Sequence, residues 1–340
     1  MFTKCVTLAN SIFETNEDSR WNGFRLIAFD GSKYTLPNSW EIKKEFDPSA
    51  GLENPGKGHF PQCLVETAYD AITGIPVAIA VDSTDGSERI LAEYLFRNLP
   101  DNSLIIEDRG YPSFRHFHEA VHQSGLDILV RCPATSTFTA VMEFVKSGLE
   151  DAEITLEVPS SFSKADKEAF TPIKLRAIRY KNSDGTVSVL LTTLYDTEKY
   201  SPKTLRKLYR KRWKVETHFR NEKVSFEIEK FHAKTVNGIL QEIYASGIMA
   251  ILGQILAYTA MQKKSTRPQF KNAVLSVGSA VWIFIQPFSQ RMEILFEQLL
   301  ARIVCVPYYK SQKERKSQER VNKSAKNKWQ NISRLAGKNA

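Results

Sequence analysis

Between Arg25 and Val130 short apolar runs alternate with longer amphipathic stretches, and this order restricts the fold more than any bulk property does. Arg25-Leu-Ile-Ala-Phe-Asp30 reads as a strand ending at Asp-Gly, Leu64 to Tyr69 as a second, and Ile75 to Val81, after a turn at Thr73-Gly74, as a third. Ser87 to Leu99 has helical spacing with Ile90, Leu91, Tyr94 and Leu95 on one side. Leu104 to Asp108 is then a fourth strand, Pro112 to Ser124 a second helix and Leu126 to Val130 a fifth strand. A meander followed by alternating helices and strands predicts an α/β fold, a mixed sheet flanked by helices.

Residues 133–186 interrupt the alternation with short strands at Ile154 to Val158 and Leu175 to Tyr180, and with an Asp184-Gly185 hairpin turn leading into Val187 to Leu194. They predict a β-rich insertion. Ser201-Pro202 caps a long helix reaching about Lys223, and helical spacing resumes over Asn237 to Gln262 and Val274 to Leu300. The predicted organisation is a first core part over 1–132, the insertion over 133–186, a second core part over 187–262, a helical region over 263–309, and a basic mobile tail over 310–340.

Of 340 residues 42% are hydrophobic and 25% charged, enough to bury a core and too apolar for a disordered or collagen-like chain. The net charge of +9 is concentrated: residues 310–340 carry +8 and residues 201–223 carry +7, leaving the rest at −6. Two basic segments on an acidic body point to a polyanion such as nucleic acid. Cys5, Cys63, Cys132 and Cys305 are scattered without a C-x-x-C pair, which suits a reducing, cytoplasmic setting, and the N-terminus lacks the apolar run of a secretory signal. Ile243 to Met261 has no charge over a length able to span a bilayer, but Ser246, Gly247, Gly253, Gln254 and Thr259 within it favour a buried helix of a soluble core, with no membrane partner.

Tyr209, Arg212, Glu216 and Lys223 fall within a sector of about 60° when wound at 100° per residue on an α-helix. Leu208, Val215, Phe219 and Phe226 form the adjoining apolar stripe, so the polar face should border a cleft. Spacing alone is equally met by an ordinary i, i+4 ion pair between Arg212 and Glu216.

The pattern Tyr-x2-Arg-x3-Glu-x6-Lys resembles the signature of the IS4 family of DDE transposases at every interval. Phe29-Asp30-Gly31-Ser32 with Leu36-Pro37 is similar to the family's first-aspartate segment, and Leu104-Ile-Ile-Glu-Asp108-Arg109-Gly110-Tyr111 to its second. Leu190 to Leu194 is similar to its strand before the glutamate, so the resemblance covers roughly residues 20 to 262. It implies an RNase H-like mixed sheet flanked by helices, with a β-rich insertion before the glutamate helix and a helical C-terminal part. It also implies an acidic triad of Asp30, Asp108 and Glu216 that is both catalytic and metal-ligating. The cofactor would be Mg²⁺, two ions, with Mn²⁺ substituting. The implied activity is cleavage at the ends of an insertion sequence and 3′-hydroxyl strand transfer into target DNA by a homodimer in a synaptic complex.

In-line phosphodiester transfer needs one cation to activate the attacking hydroxyl and another to stabilise the leaving oxygen, and carboxylates are the ligands that hard Mg²⁺ prefers. Tyr209, Arg212 and Lys223 would contact DNA phosphates, Arg as a bidentate fork and Lys as a point charge, with Arg109 a further DNA-binding candidate or a brace for Asp108. The insertion has no Trp, and Phe138, Phe144, Phe162, Phe170 and Tyr180 are read as core, so no base-stacking residue is assigned. Only 29 residues precede Asp30, where family members carry a DNA-binding region, so a shortened chain is expected, and the second reading is a catalytically silent DNA-binding remnant. Two motifs compete. His118-Glu119-Ala120-Val121-His122 is a literal H-E-x-x-H, the zinc peptidase pattern, for which Glu143 is the one proposable third ligand. Gly51-x4-Gly56-Lys57 opens like a P-loop, but Gly58 stands at the Ser/Thr position.

Overall fold

The computed structural model describes residues 1–14, 16–48, 60–135, 138–182, 184–264, 267–284, 290–305 and 307–308. The P-loop-like Gly51 to Gly58 and the basic tail from Lys310 lie outside the described residues. Eight strands form one sheet: β1 (Arg25–Thr35), β2 (Gln62–Asp70), β3 (Pro76–Ser83), β4 (Ser103–Glu107), β5 (Asp127–Pro133), β6 (Asp151–Leu156), β7 (Ile173–Lys181) and β8 (Val187–Thr192). Their order is β3-β2-β1-β4-β5-β8-β7-β6. The meander β1-β2-β3 is antiparallel, β4 and β5 join β1 in parallel, and β8 returns antiparallel to β5. This is the α/β mixed sheet flanked by helices that the sequence pattern implied, in the RNase H-like form that the family resemblance implied.

The helices are α1 (Phe2–Glu14), α2 (Trp40–Phe46), α3 (Glu88–Phe96), α4 (Phe114–His118), α5 (Thr139–Ser147), α6 (Lys164–Ala169), α7 (Pro202–Tyr209), α8 (Trp213–Val224), α9 (Val236–Lys264), α10 (Phe270–Leu275), α11 (Val277–Phe284) and α12 (Gln290–Val304). They cover both faces of the sheet, which explains why β4, Ser-Leu-Ile-Ile-Glu, is buried throughout. On one face Ile27, Phe29 and Ile105 pack with α1, α3 and α4; on the other Leu26, Ala28, Leu104 and Ile106 pack with α2, α7, α8 and α9. A third apolar cluster joins the later turns of α9 to α10, α11 and α12. Among the described residues one helix, Val236–Lys263, is long and apolar enough to cross a membrane. Here it packs against α1, β3, α10 and α12.

Several expectations are corrected. Asp30 does not end its strand: β1 continues to Thr35 because its ladder with β2 runs on through Asp30↔Thr67 to Thr35↔Gln62. Ile90 and Tyr94 are exposed, since the inward stripe of the short α3 is Leu91, Ala92, Leu95 and Phe96. The single helix expected from Ser201 to Lys223 is broken by a 3₁₀ turn at Arg210–Arg212, and α8 ends before Phe226. The helical stretch expected over Val274 to Leu300 is divided among α10, α11 and α12. Helix α1 was not anticipated. Residues 133–186 contribute α5 and α6 as well as β6 and β7, and the two strands extend the same sheet through β8.

Candidate active site

Two sheet strands and one helix bring the three acids to one place. Strands β1 and β4 run parallel, and Arg25↔Ser103 to Ala28↔Ile106 are paired. Asp30 and Asp108 each stand two residues beyond the last pair, on the Ala28–Ile106 side of their neighbouring chains. Asp108 then turns the chain, its Oδ1 accepting the Gly110 N–H at 2.7 Å. Glu216 reaches the same spot from α8. The run into it is capped as the sequence predicted, with Ser201 Oγ accepting the Thr204 N–H and Pro202 opening α7.

Arg212 ties the acids together. Its Nη2 donates to Glu216 Oε1 at 2.6 Å and its Nη1 lies 3.8 Å from Asp30 Oδ2. Arg212 is 4% exposed, yet its Nε and Nη1 have no hydrogen-bond partner among the described residues. Tyr209 is buried beside it, and desolvation pushes its hydroxyl well above the usual tyrosine range. Lys223 is anchored: its Nζ donates to the Lys33 carbonyl at 2.6 Å, lies 3.9 Å from Glu229 and sits over the Tyr34 ring.

All seven sequence-predicted site residues, Asp30, Asp108, Glu216, Tyr209, Arg212, Lys223 and Arg109, line one cleft of about 830 Å³. Arg131, Arg220, Trp213 and Ser32 line it too and were missed. Arg131 had a visible signal, a lone cation inside the apolar run Ile128 to Cys132. It projects from β5, and its Nε and Nη2 donate to Ser188 Oγ at 3.2 and 3.0 Å. Five cationic side chains thus surround three acids, a distribution suited to a phosphate backbone.

Desolvation pushes the Asp30 carboxyl up to about 7; Arg212 opposes the shift, and Glu216, Asp108 and Glu88 add to it. The sign follows from linkage. The native state keeps this proton to about pH 7 while the unfolded chain releases it near 3.8, so stability falls as pH rises between those values. Asp30→Asn in EDTA is therefore expected to be more stable than the wild type above pH 7, by at most about 4 kcal/mol, with the difference vanishing below about pH 4. Urea unfolding across that range checks it, and a pH-independent difference would contradict it.

Among the described residues, no three His, Cys, Asp or Glu side chains already stand as a metal-holding group. The donor set nevertheless suits a hard divalent cation, since three carboxylates line one cleft. The H-E-x-x-H motif fits less well. It crosses from α4 into a π turn at Glu119–Gln123, which alters the regular i, i+4 presentation of its histidines. His118 is buried against Phe114 and Phe170, with burial lowering its pKa, while His122 and Glu143 are exposed.

A mixed sheet of this order, with Asp30 within β1, Asp108 just past β4 and Glu216 on α8 lining one cleft, is the arrangement that the family resemblance implied. The chain belongs to the transposase DDE domain family, whose model matches residues 21–252. It is 23% identical over 262 residues to transposase InsG for insertion sequence element IS4 of Escherichia coli (strain K12), a match covering 77% of this chain and 56% of the relative. The chain thus spans about half the length of that relative. Among solved structures it is similar to a piggyBac transposase synaptic complex with hairpin DNA, determined by cryo-EM. That match has 13% identity and a TM-score of 0.46, and covers 87% of this chain and 60% of the other.

Proposed function

We propose that the chain carries the catalytic part of a DNA transposase that cleaves at the ends of an IS4-like element and joins the freed 3′-hydroxyl to target DNA. The observation that supports this reading is the convergence of Asp30, Asp108 and Glu216 in one cleft ringed by Arg109, Arg131, Arg212, Arg220 and Lys223. Divalent cations held by the three carboxylates, Mg²⁺ or Mn²⁺ and two in number, would supply activation of the attacking oxygen and charge stabilisation at the leaving one. The remaining work falls to side chains. Arg212 keeps Glu216 oriented and places its positive charge beside Asp30 in the cleft where a phosphate would lie. Lys223, pinned to the β1 backbone, places a fixed charge at one end of the cleft, and Arg131 and Arg109 extend the cationic track across β5 and the Asp108 turn. Such contacts position a backbone without reading its sequence, so end selection and the pairing of ends in a homodimer lie with other surfaces.

A catalytically silent DNA-binding remnant is the second reading, favoured by the guanidinium that already occupies the gap between Asp30 and Glu216. Incubation with end-labelled IS4-type element DNA separates the two. Strand cleavage in Mg²⁺ or Mn²⁺ that EDTA abolishes is expected; salt-sensitive binding without cleavage in either ion would establish the remnant instead.

A further inference from the structure

The outward face of α7 carries a row of positive charge outside the three-acid cleft. Leu205, Leu208 and Tyr209 are the buried residues of this helix. At 100° per residue Lys203, Arg206, Lys207 and Arg210 fall within a sector of about 100°, roughly opposite that buried stripe. All four are exposed. Lys203 and Lys207 stand four apart, as do Arg206 and Arg210, so like charges face each other along the helix and repel. No acid stands in α7 to relieve them, and none of the four forms an ion pair among the described residues. Lys203 lies in the first turn, where the helix dipole disfavours a cation.

A second observation joins this row to the cleft. The Arg206 guanidinium lies over the Tyr180 ring, 5.1 Å from its centre, which ties the cation to the end of β7. After desolvation, the groups that act on the Tyr209 hydroxyl are Arg212, Tyr180, Asp108 and Arg131, so Tyr180 stands by the wall that Tyr209 gives the cleft. Cleft and row are therefore continuous through Tyr209, Tyr180 and Arg206. From Lys203 to Arg210 the row covers about 10 Å at 1.5 Å per residue, the length of about three base pairs of duplex DNA.

We propose that the outward face of α7 is a phosphate-binding surface for duplex DNA, holding about three base pairs of the same duplex whose end lies in the three-acid cleft. The inference rests on the DNA-processing reading above. Contacts of this kind fix the path of the duplex and are blind to its sequence. The competitor is a plain one: a solvated basic face that adds only to the general field of the protein. The two differ in how binding responds to salt.

The test is the salt dependence of full-chain binding to a duplex of roughly 20 base pairs, followed by fluorescence anisotropy in EDTA. Lys203→Gln, Lys207→Gln and Arg210→Gln combined are expected to lower the slope of log K against log salt by about 2 to 3, since each phosphate contact contributes about 0.9. Gln forms helix about as well as Lys or Arg and the repulsion is relieved, so the thermal midpoint should not fall. A midpoint that falls would assign the row to the fold and overturn the proposal. The control removes the same charge from the other side of the sheet, with exposed Lys146 of α5 and Lys164 and Lys167 of α6 each changed to Gln, and should move the slope by less than about 1. Equal losses in the two triple variants would make α7 a solvated face and leave the DNA reading standing. If the wild type takes up a second duplex per chain and the α7 variant loses only that one, the row holds separate DNA and the continuous path is overturned. A wild type without salt-dependent binding overturns both readings.

Discussion

Glu216→Gln is expected to lower strand cleavage by about 10³-fold or more, the scale on which one member of a catalytic unit disables the whole, while leaving DNA affinity near that of the wild type. The substitution is nearly isosteric. Its amide oxygen can still accept the Arg212 Nη2 hydrogen bond made by Glu216 Oε1, so the α8 face stays in place. What disappears is one negative charge from the set of three acids, and with it the strongest ligand type for a hard cation on that helix. Cleavage and electrophoretic mobility shift measured on the same element-end DNA decide the matter. Equal loss of both would mean that Glu216 holds the fold of the cleft and takes no part in the chemistry.

The second large effect concerns stability. Arg176→Met is expected to destabilise the protein by about 3 kcal/mol, as measured by denaturant unfolding, because it leaves the Leu194 and Tyr200 carbonyls without their donor and breaks an ion pair with the half-buried Asp151. Arg176 is 1% exposed on β7. Its Nε and Nη2 donate to the two carboxylate oxygens of Asp151 at 2.8 and 2.6 Å, and its Nη1 donates to the carbonyls of Leu194 and Tyr200 at 3.0 and 2.8 Å. Those carbonyls flank the loop that delivers the chain into α7. The outermost strands of the sheet are thereby fastened to the approach of the signature helix. Arg176→Lys should recover little, since an ammonium cannot reproduce the planar fork.

That Tyr209, Arg212, Glu216 and Lys223 share a face was legible because their spacing is local: four side chains on one short run need only a helix-like rise, and the 3₁₀ turn at Arg210–Arg212 did not scatter them, whereas Asp30 and Asp108 were reached only through the family resemblance. The strands were legible for the same reason, each being a short apolar run closed by turn residues. What escaped depends on distant partners. Asp30-Gly31 has the composition of a turn, and only the β2 ladder makes it mid-strand. Ile90 and Tyr94 are apolar at helical spacing, yet the surface they would have covered is filled by the neighbouring stripe of α3. The carbonyl of Lys33 that receives Lys223, and the Ser188 hydroxyl that receives Arg131, are set by tertiary contact and leave no mark in local pattern. Helix α1 was legible in principle, since Phe2, Val6, Ala9 and Phe13 recur at helical intervals and pack on the core.

The strand order has a developmental consequence. Seating β1 beside β4 and β8 beside β5 means that the cleft is assembled by closing long loops, and its last acid is translated far behind its first. Contacts of such separation form slowly and late. A nascent or prematurely terminated polypeptide that stops short of α8 would have the sheet's opening strands but not Glu216, so the three-acid cleft stays incomplete until synthesis has passed that residue.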